Sequence, residues 1–116
     1  MDKKLARSFE HWNVNVEHQG VLERYVLQGL SPGSFFEALL ANDMVGAACR
    51  SHPSNQWKDI VAIMKWLINM APKESFGSYD KVHAWLRLSA DDRRAYCENA
   101  NVQMSMWDHL NEKSPA

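Results

Sequence analysis

Five histidines, two cysteines and a few arginines set beside tyrosines are the side chains of this chain that could do chemistry. A helical zinc site needs histidines one turn apart, as in His-Glu-x-x-His, so that both imidazoles face the metal. His11, His18, His52, His83 and His109 contain no such pair. His11 and His18 would share a face only on one unbroken helix, and Asn13-Val14-Asn15-Val16 lies between them. The histidines are therefore expected at the surface or at helix caps. Cys49 and Cys97 form no Cys-x-x-Cys, which removes the common structural zinc arrangement. A nucleophile pair of Cys49 with His52 or His83 is compatible with the spacing. Cys49 lies in an apolar run, however, where an inert buried thiol is the expected state. Gly29 and Gly33 flank a turn, yet no Gly-Lys-Ser/Thr follows to cradle a phosphate. These patterns predict no catalytic residue, no metal and no cofactor.

Two clusters could bind rather than react. Arg24 beside Tyr25, and Arg93-Arg94 near Tyr96, combine a cation with an aromatic ring, which suits a nucleotide or an acidic partner. The alternative is a solvated helix face with tyrosines turned to the core. Trp12, Trp57, Trp66, Trp85 and Trp107 divide in the same way. Each is either a large apolar payload for the core or an exposed anchor at a binding surface.

At 116 residues the chain is expected to form one domain and to bury about two-thirds of its unfolded surface. The net charge of −1 argues against a general polyanion binder, which needs a surplus of lysine and arginine to displace counterions. It argues equally against an acidic nucleic-acid mimic. Two cysteines at a wide spacing fit a reducing compartment. No apolar run approaches the roughly eighteen residues that span a bilayer, and Met-Asp-Lys-Lys-Leu-Ala-Arg lacks a signal peptide's apolar stretch. The expectation is a soluble cytoplasmic protein.

The elements that must position these side chains are helices. Residues 54–71 are apolar around most of a helical circumference, with Lys58, Lys65 and Asn69 in one narrow polar stripe and Ala62 among them. A surface helix needs an apolar stripe of about a third of the circumference, so this one is expected to be wrapped by neighbours on most sides. Pro53 suits its first turn and Pro72 stops it.

Before it, Lys3 to Trp12 carries Leu5, Ala6, Phe9 and Trp12 at helical spacing. Glu17 to Gln28 presents Val21, Leu22, Tyr25 and Val26, with Gly29 as a left-handed cap. Ser31 or Ser34 is expected to cap the helix that presents Phe35, Phe36, Leu39 and Leu40. Asn42-Asp43 could cap a further helix, Met44 to Arg50, or the helix could pass straight through; the pair is expected to tie that turn to a neighbouring helix end. After it, Ser78 caps Tyr79 to Leu88, whose Tyr79, Val82, Trp85 and Leu86 face the core. Ser89 opens a last helix bearing Tyr96, Ala100, Met104 and Trp107. The whole is predicted to be an all-α, compact single-domain bundle of five to seven short helices around the central one.

One ordered set of residues adds a setting. His18-Gln19-Gly20, Arg24-Tyr25-Val26, Gly29, Pro32-Gly33-Ser34-Phe35, Asn42-Asp43, Trp66-Leu67-Ile68-Asn69 with Ala71-Pro72, Gly77-Ser78 and Val82 to Trp85 resemble a widespread group of small tailed-phage and prophage proteins. The resemblance runs from Glu17 to about Leu86. It makes 17–88 a shared module, with 1–16 and 89–116 as extensions of a single 1–116 domain. Members of the group often carry Cys-Trp where this chain has Ser75-Phe76, which counts against an essential thiol there.

The resemblance implies an infected or lysogenic bacterial cytoplasm and supplies no catalytic residue. By analogy with other small phage products, it implies a non-enzymatic protein that binds and modulates a bacterial host or defence protein. A homo-oligomer is compatible with this, and nucleic acid is disfavoured. The alternative is a nucleotide or nucleic-acid binder using Arg24, Tyr25, Arg93 and Arg94. The expected partner surface lies on the last helix, where Met104 and Trp107 share the Tyr96 side and Met106 points elsewhere, with Arg93, Arg94, Arg24 and Tyr25 as further candidates.

Overall fold

The fourteen residues Trp57–Met70 form the longest described helix, with Ile60, Ala62, Ile63, Trp66, Leu67 and Met70 buried. The computed structural model of the chain describes residues 3–51 and 56–100. Their order is α1 (Lys3–His11), α2 (Val16–Gln28), α3 (Ser34–Leu40), α4 (Met44–Arg50), α5 (Trp57–Met70), a 3₁₀ turn (Lys73–Ser75) and α6 (Tyr79–Arg87). A last helix, α7, is described over residues 90–100. No described residue is in a strand, and the buried apolar side chains other than Ala62 and Ala100 make one contiguous core. The chain is an all-α, single-domain bundle.

The start of α5 corrects the expected 54–71. Gln56 is its N-cap, with extended backbone; its C=O accepts from Asp59 N at 2.9 Å and its N–H donates to Asp59 Oδ2 at 3.3 Å. An acidic side chain there also complements the helix dipole. Pro53 lies outside the described residues. At the far end Ala71 is extended (ψ 153°), as a residue before proline prefers.

The phase of α5 follows its sequence. Ile60, Ile63, Trp66, Leu67 and Met70 are buried, while Lys58, Lys65 and Asn69 are exposed. Ala62 departs from the expected polar stripe and is buried, because the end of α1 closes on it: Trp12 and Ala62 line one concavity.

Helix α1 belongs to the core. Leu5 and Phe9 are buried, and the Phe9 ring centroid lies 4.7 Å from that of Trp66. The Trp66 indole donates to Ser8 Oγ at 2.9 Å, and Ser8 donates to Leu5 O at 2.7 Å. A polar atom taken out of water needs such a partner. Asn13 turns the chain with φ 57°, and Asn15 caps α2 by accepting from Glu17 N at 3.0 Å.

Gly29 ends α2 with φ 65°, its N–H reaching Tyr25 O at 3.0 Å while Leu30 N reaches Arg24 O at 3.2 Å. Neither Ser31 nor Ser34 caps α3. Gly33 occupies that position with φ 88°, where a side chain would be strained. Asp43 does cap α4, accepting from Gly46 N at 2.9 Å, and Ser78 caps α6, accepting from Lys81 N at 3.1 Å. Tyr79, expected in the core, is 38% exposed, and its hydroxyl is held at the surface by Asp43.

Two predictions test this packing. Leu67→Ala is expected to cost about 2–5 kcal/mol by opening a cavity, and Lys58→Ala less than about 0.5 kcal/mol, by urea denaturation. Equal losses would show the helix phase to be wrong. Gly29→Ala is expected to cost about 1–2 kcal/mol for the left-handed backbone and more for contact, because an added Cβ would collide with the Arg93 guanidinium. In an Arg93→Ala background only the backbone part of that loss should remain, so a double-mutant cycle reads the contact directly.

Candidate functional site

Among the described residues the candidates read from the sequence do not converge. Tyr25 is fully buried and donates its hydroxyl to Ser75 O at 2.7 Å. Burial, and then the charge of Glu37, push that phenol well above its ordinary value, so it stays protonated. Arg93, expected on a solvated face, is buried; its guanidinium lies over Gly29 and donates to Leu88 O at 2.8 Å. Arg24 and Arg94 are exposed, and so is Tyr96, whose ring centroid lies 6.0 Å from that of Trp85, but Tyr25 and Arg93, one member of each cluster, are inside the fold. Met104, Met106 and Trp107 lie outside the described residues.

Cys49 is exposed rather than buried, and His52 lies outside the described residues. His83 is turned to Glu37, with Nε2 to Oε1 at 2.9 Å. Cys97 is half-buried with its Sγ 3.6 Å from Val26 O, and burial pushes the thiol up. His18 corrects the expectation of surface histidines: it is buried edge-on to Phe36, with ring centroids 5.4 Å apart. Among the described residues no three His, Cys, Asp or Glu side chains gather closely enough to hold a metal ion.

What the structure offers instead is a surface on α5. Trp57 is 64% exposed and Ile68 is 69% exposed, and between them Val61 and Met64 are only partly covered. These four positions are spaced 4-3-4, so they form one stripe along three turns, about 16 Å at 1.5 Å per residue. The expectation that α5 is wrapped on most sides is therefore corrected along this stripe. At its C-terminal end the stripe runs into an apolar hollow of about 270 Å³ lined by Leu39, Leu40, Met44, Met64, Ile68 and Phe76. Methionine on such a lining adapts to the shape of a guest. Lys58 and Lys65 stand one residue past Trp57 and Met64 and rim one side of the stripe.

Sequence reasoning missed this surface by counting every apolar residue of α5 as core. The available signal was the 4-3-4 spacing of Trp57, Val61, Met64 and Ile68, with lysine following two of the four. No protein-family model, curated protein or solved structure matches the chain. Among the described residues no helix is long and apolar enough to cross a membrane.

The Asp43–Tyr79 contact beside the hollow gives a pH test. Tyr79 donates to Asp43 Oδ2 at 2.7 Å, and that bond, followed by the Gly46 N–H, holds the Asp43 carboxyl below its usual value. A depressed carboxylate contributes stability above the unfolded-state value of about 3.9 and loses it as pH falls through the folded-state value. Tyr79→Phe is therefore expected to be less stable than wild type near neutrality, with the gap in urea midpoint closing below about pH 4. A gap independent of pH would show the contact to be energetically idle.

Proposed function

We propose that this chain is a non-enzymatic, phage-encoded interaction protein that works in the cytoplasm of a bacterial host cell. It binds and modulates a bacterial host or defence protein through the open face of α5. The observation that supports this most is the apolar stripe of Trp57, Val61, Met64 and Ile68 on the helix that also anchors the core. Isolated exposed apolar residues are ordinary, but a contiguous apolar stripe rimmed by charge marks an interaction site. Exposed tryptophan beside methionine is the composition that interface centres favour. The resemblance of residues 17–88 to small phage and prophage proteins supplies the bacterial setting.

The nucleotide alternative has less to stand on, because Tyr25 and Arg93 are engaged inside the fold. Arg24 and Arg94 remain as exposed cations on a chain of net charge −1.

Affinity capture from bacterial lysate, with and without nuclease, tests the proposal when run beside the Trp57→Ala/Ile68→Asp double variant. Both substitutions fall on exposed positions, so circular dichroism is expected to show an unchanged helical fold. The expected result is a stoichiometric protein that survives nuclease and is lost with the variant. Retention by the variant would overturn the α5 assignment, and loss with nuclease would return the nucleic-acid alternative.

A further inference from the structure

We infer that the occupant of the α5 face is an amphipathic helix of another protein whose flank carries acidic side chains; this rests on the protein-binding function proposed above. The spacing of the stripe points to a helix. Side chains at 4-3-4 intervals are the knobs that a second helix laid alongside can receive, and such a stripe is the usual way a helix reads a helix. The stripe's length of about three turns matches a short docking helix. The hollow of about 270 Å³ at its end takes one large apolar side chain as an anchor.

The charge follows from which flank is open. On one side of the stripe lie Ile60 and Leu67, which are buried in the core and cannot meet a partner's charges. On the other lie Lys58 and Lys65, both exposed. That flank continues into a concavity of about 700 Å³ between α5 and the end of α1, to which His11, Asn13, Lys58 and Lys65 contribute. The carboxylate on its lining, Asp59, accepts from the Gln56 N–H at the start of α5. A helix seated on the stripe thus meets positive charge along its one open flank; beyond Ile68, at the end of the stripe, Lys73 and Glu74 together add no net charge.

The same arrangement argues against a second copy of this chain. Two α5 helices paired antiparallel about a two-fold axis bring Lys58 of one toward Lys65 of the other, and like charges across a seam are destabilising. Parallel pairing would set the lysine flank against the side that carries Ile60 and Leu67, which the core already covers. An acidic flank removes the repulsion and adds steering to the encounter.

The experiment uses the full chain and two synthetic helices of about 18 residues, or five turns. Both carry leucine at 4-3-4 spacing; one has glutamate at the flanking positions and the other lysine. By fluorescence anisotropy at low salt, the glutamate peptide is expected to bind about tenfold more tightly, a gap near 1.4 kcal/mol. Near 1 M salt, where the screening length falls to about 3 Å, most of that advantage should vanish. The Lys58→Glu/Lys65→Glu variant should reverse the order of the two peptides.

Equal affinities, or no binding of either peptide, would overturn the inference. If Ile68→Asp leaves glutamate-peptide binding intact, the peptide sits elsewhere and the α5 binding face itself is wrong. If both peptides bind equally and Ile68→Asp abolishes both, the face stands and only the acidic preference falls. Sedimentation of the wild type as a dimer that Ile68→Asp dissociates would make the occupant a second copy and overturn the inference.

Discussion

Three aromatic side chains at the centre of this fold carry a polar atom that cannot be left in a dry interior, and the bundle is arranged so that each finds a partner. The Trp66 indole reaches Ser8, the Trp85 indole reaches Tyr25 O at 3.0 Å, and the Tyr25 hydroxyl reaches Ser75 O. An unmade bond of this kind costs about 1–3 kcal/mol in desolvation, a large fraction of the roughly 5–15 kcal/mol that holds a domain of this class together. Each bond also joins elements far apart in the chain: α5 to α1, α6 to α2, and α2 to the 3₁₀ turn. Apolar packing alone would tolerate several helix arrangements, whereas these directional contacts narrow the choice.

The 3₁₀ turn shows how far this reaches. Ser75 is fully buried, donates to Pro72 O at 2.6 Å and offers its own carbonyl to Tyr25. Just beyond it, Gly77 N donates to Leu40 O at 2.7 Å, fastening the turn to the end of α3. Phe76 is thereby held at the rim of the apolar hollow. The core contacts and the proposed binding surface share this one short segment. Trp66 and Leu67 do the same on α5, since they fix the rotation that leaves Trp57, Val61, Met64 and Ile68 outward.

Helix α7 is joined to the domain through the end of α2. Gly29 has no side chain, and the Arg93 guanidinium occupies the space above it. A cation near the C-terminus of α2 also complements the partial negative charge there. Among the described residues the Arg93 Nε finds no partner, so there the contact is held by shape and by the bond to Leu88 O. Half-buried Cys97, with its Sγ near Val26 O, and buried Ala100 extend the junction along α7.

Much of the fold was legible in the amino-acid sequence because it rests on local rules. Gly29 as a left-handed cap, Asp43 and Ser78 as N-caps, the break at Asn13-Val14-Asn15 and the stop at Pro72 all depend on residues within a turn of one another. The apolar periodicity of α1, α2 and α5 likewise requires no knowledge of the neighbours. What the tertiary structure decided is which apolar and charged residues end up covered. Ala62 is buried because α1 ends over it, Arg93 because Gly29 leaves room for it, and Tyr25 because the Ser75 carbonyl, fifty residues away, accepts a hydrogen bond from its hydroxyl. Trp57 and Ile68 stay exposed because the described helices only border that side of α5: Met44 of α4 shares a hollow with Met64 and Ile68, and Tyr96 and Ala100 of α7 share another with Ile68. A sequence records how apolar a helix is around its circumference; only the placement of the other helices determines how much of that circumference is left for a partner.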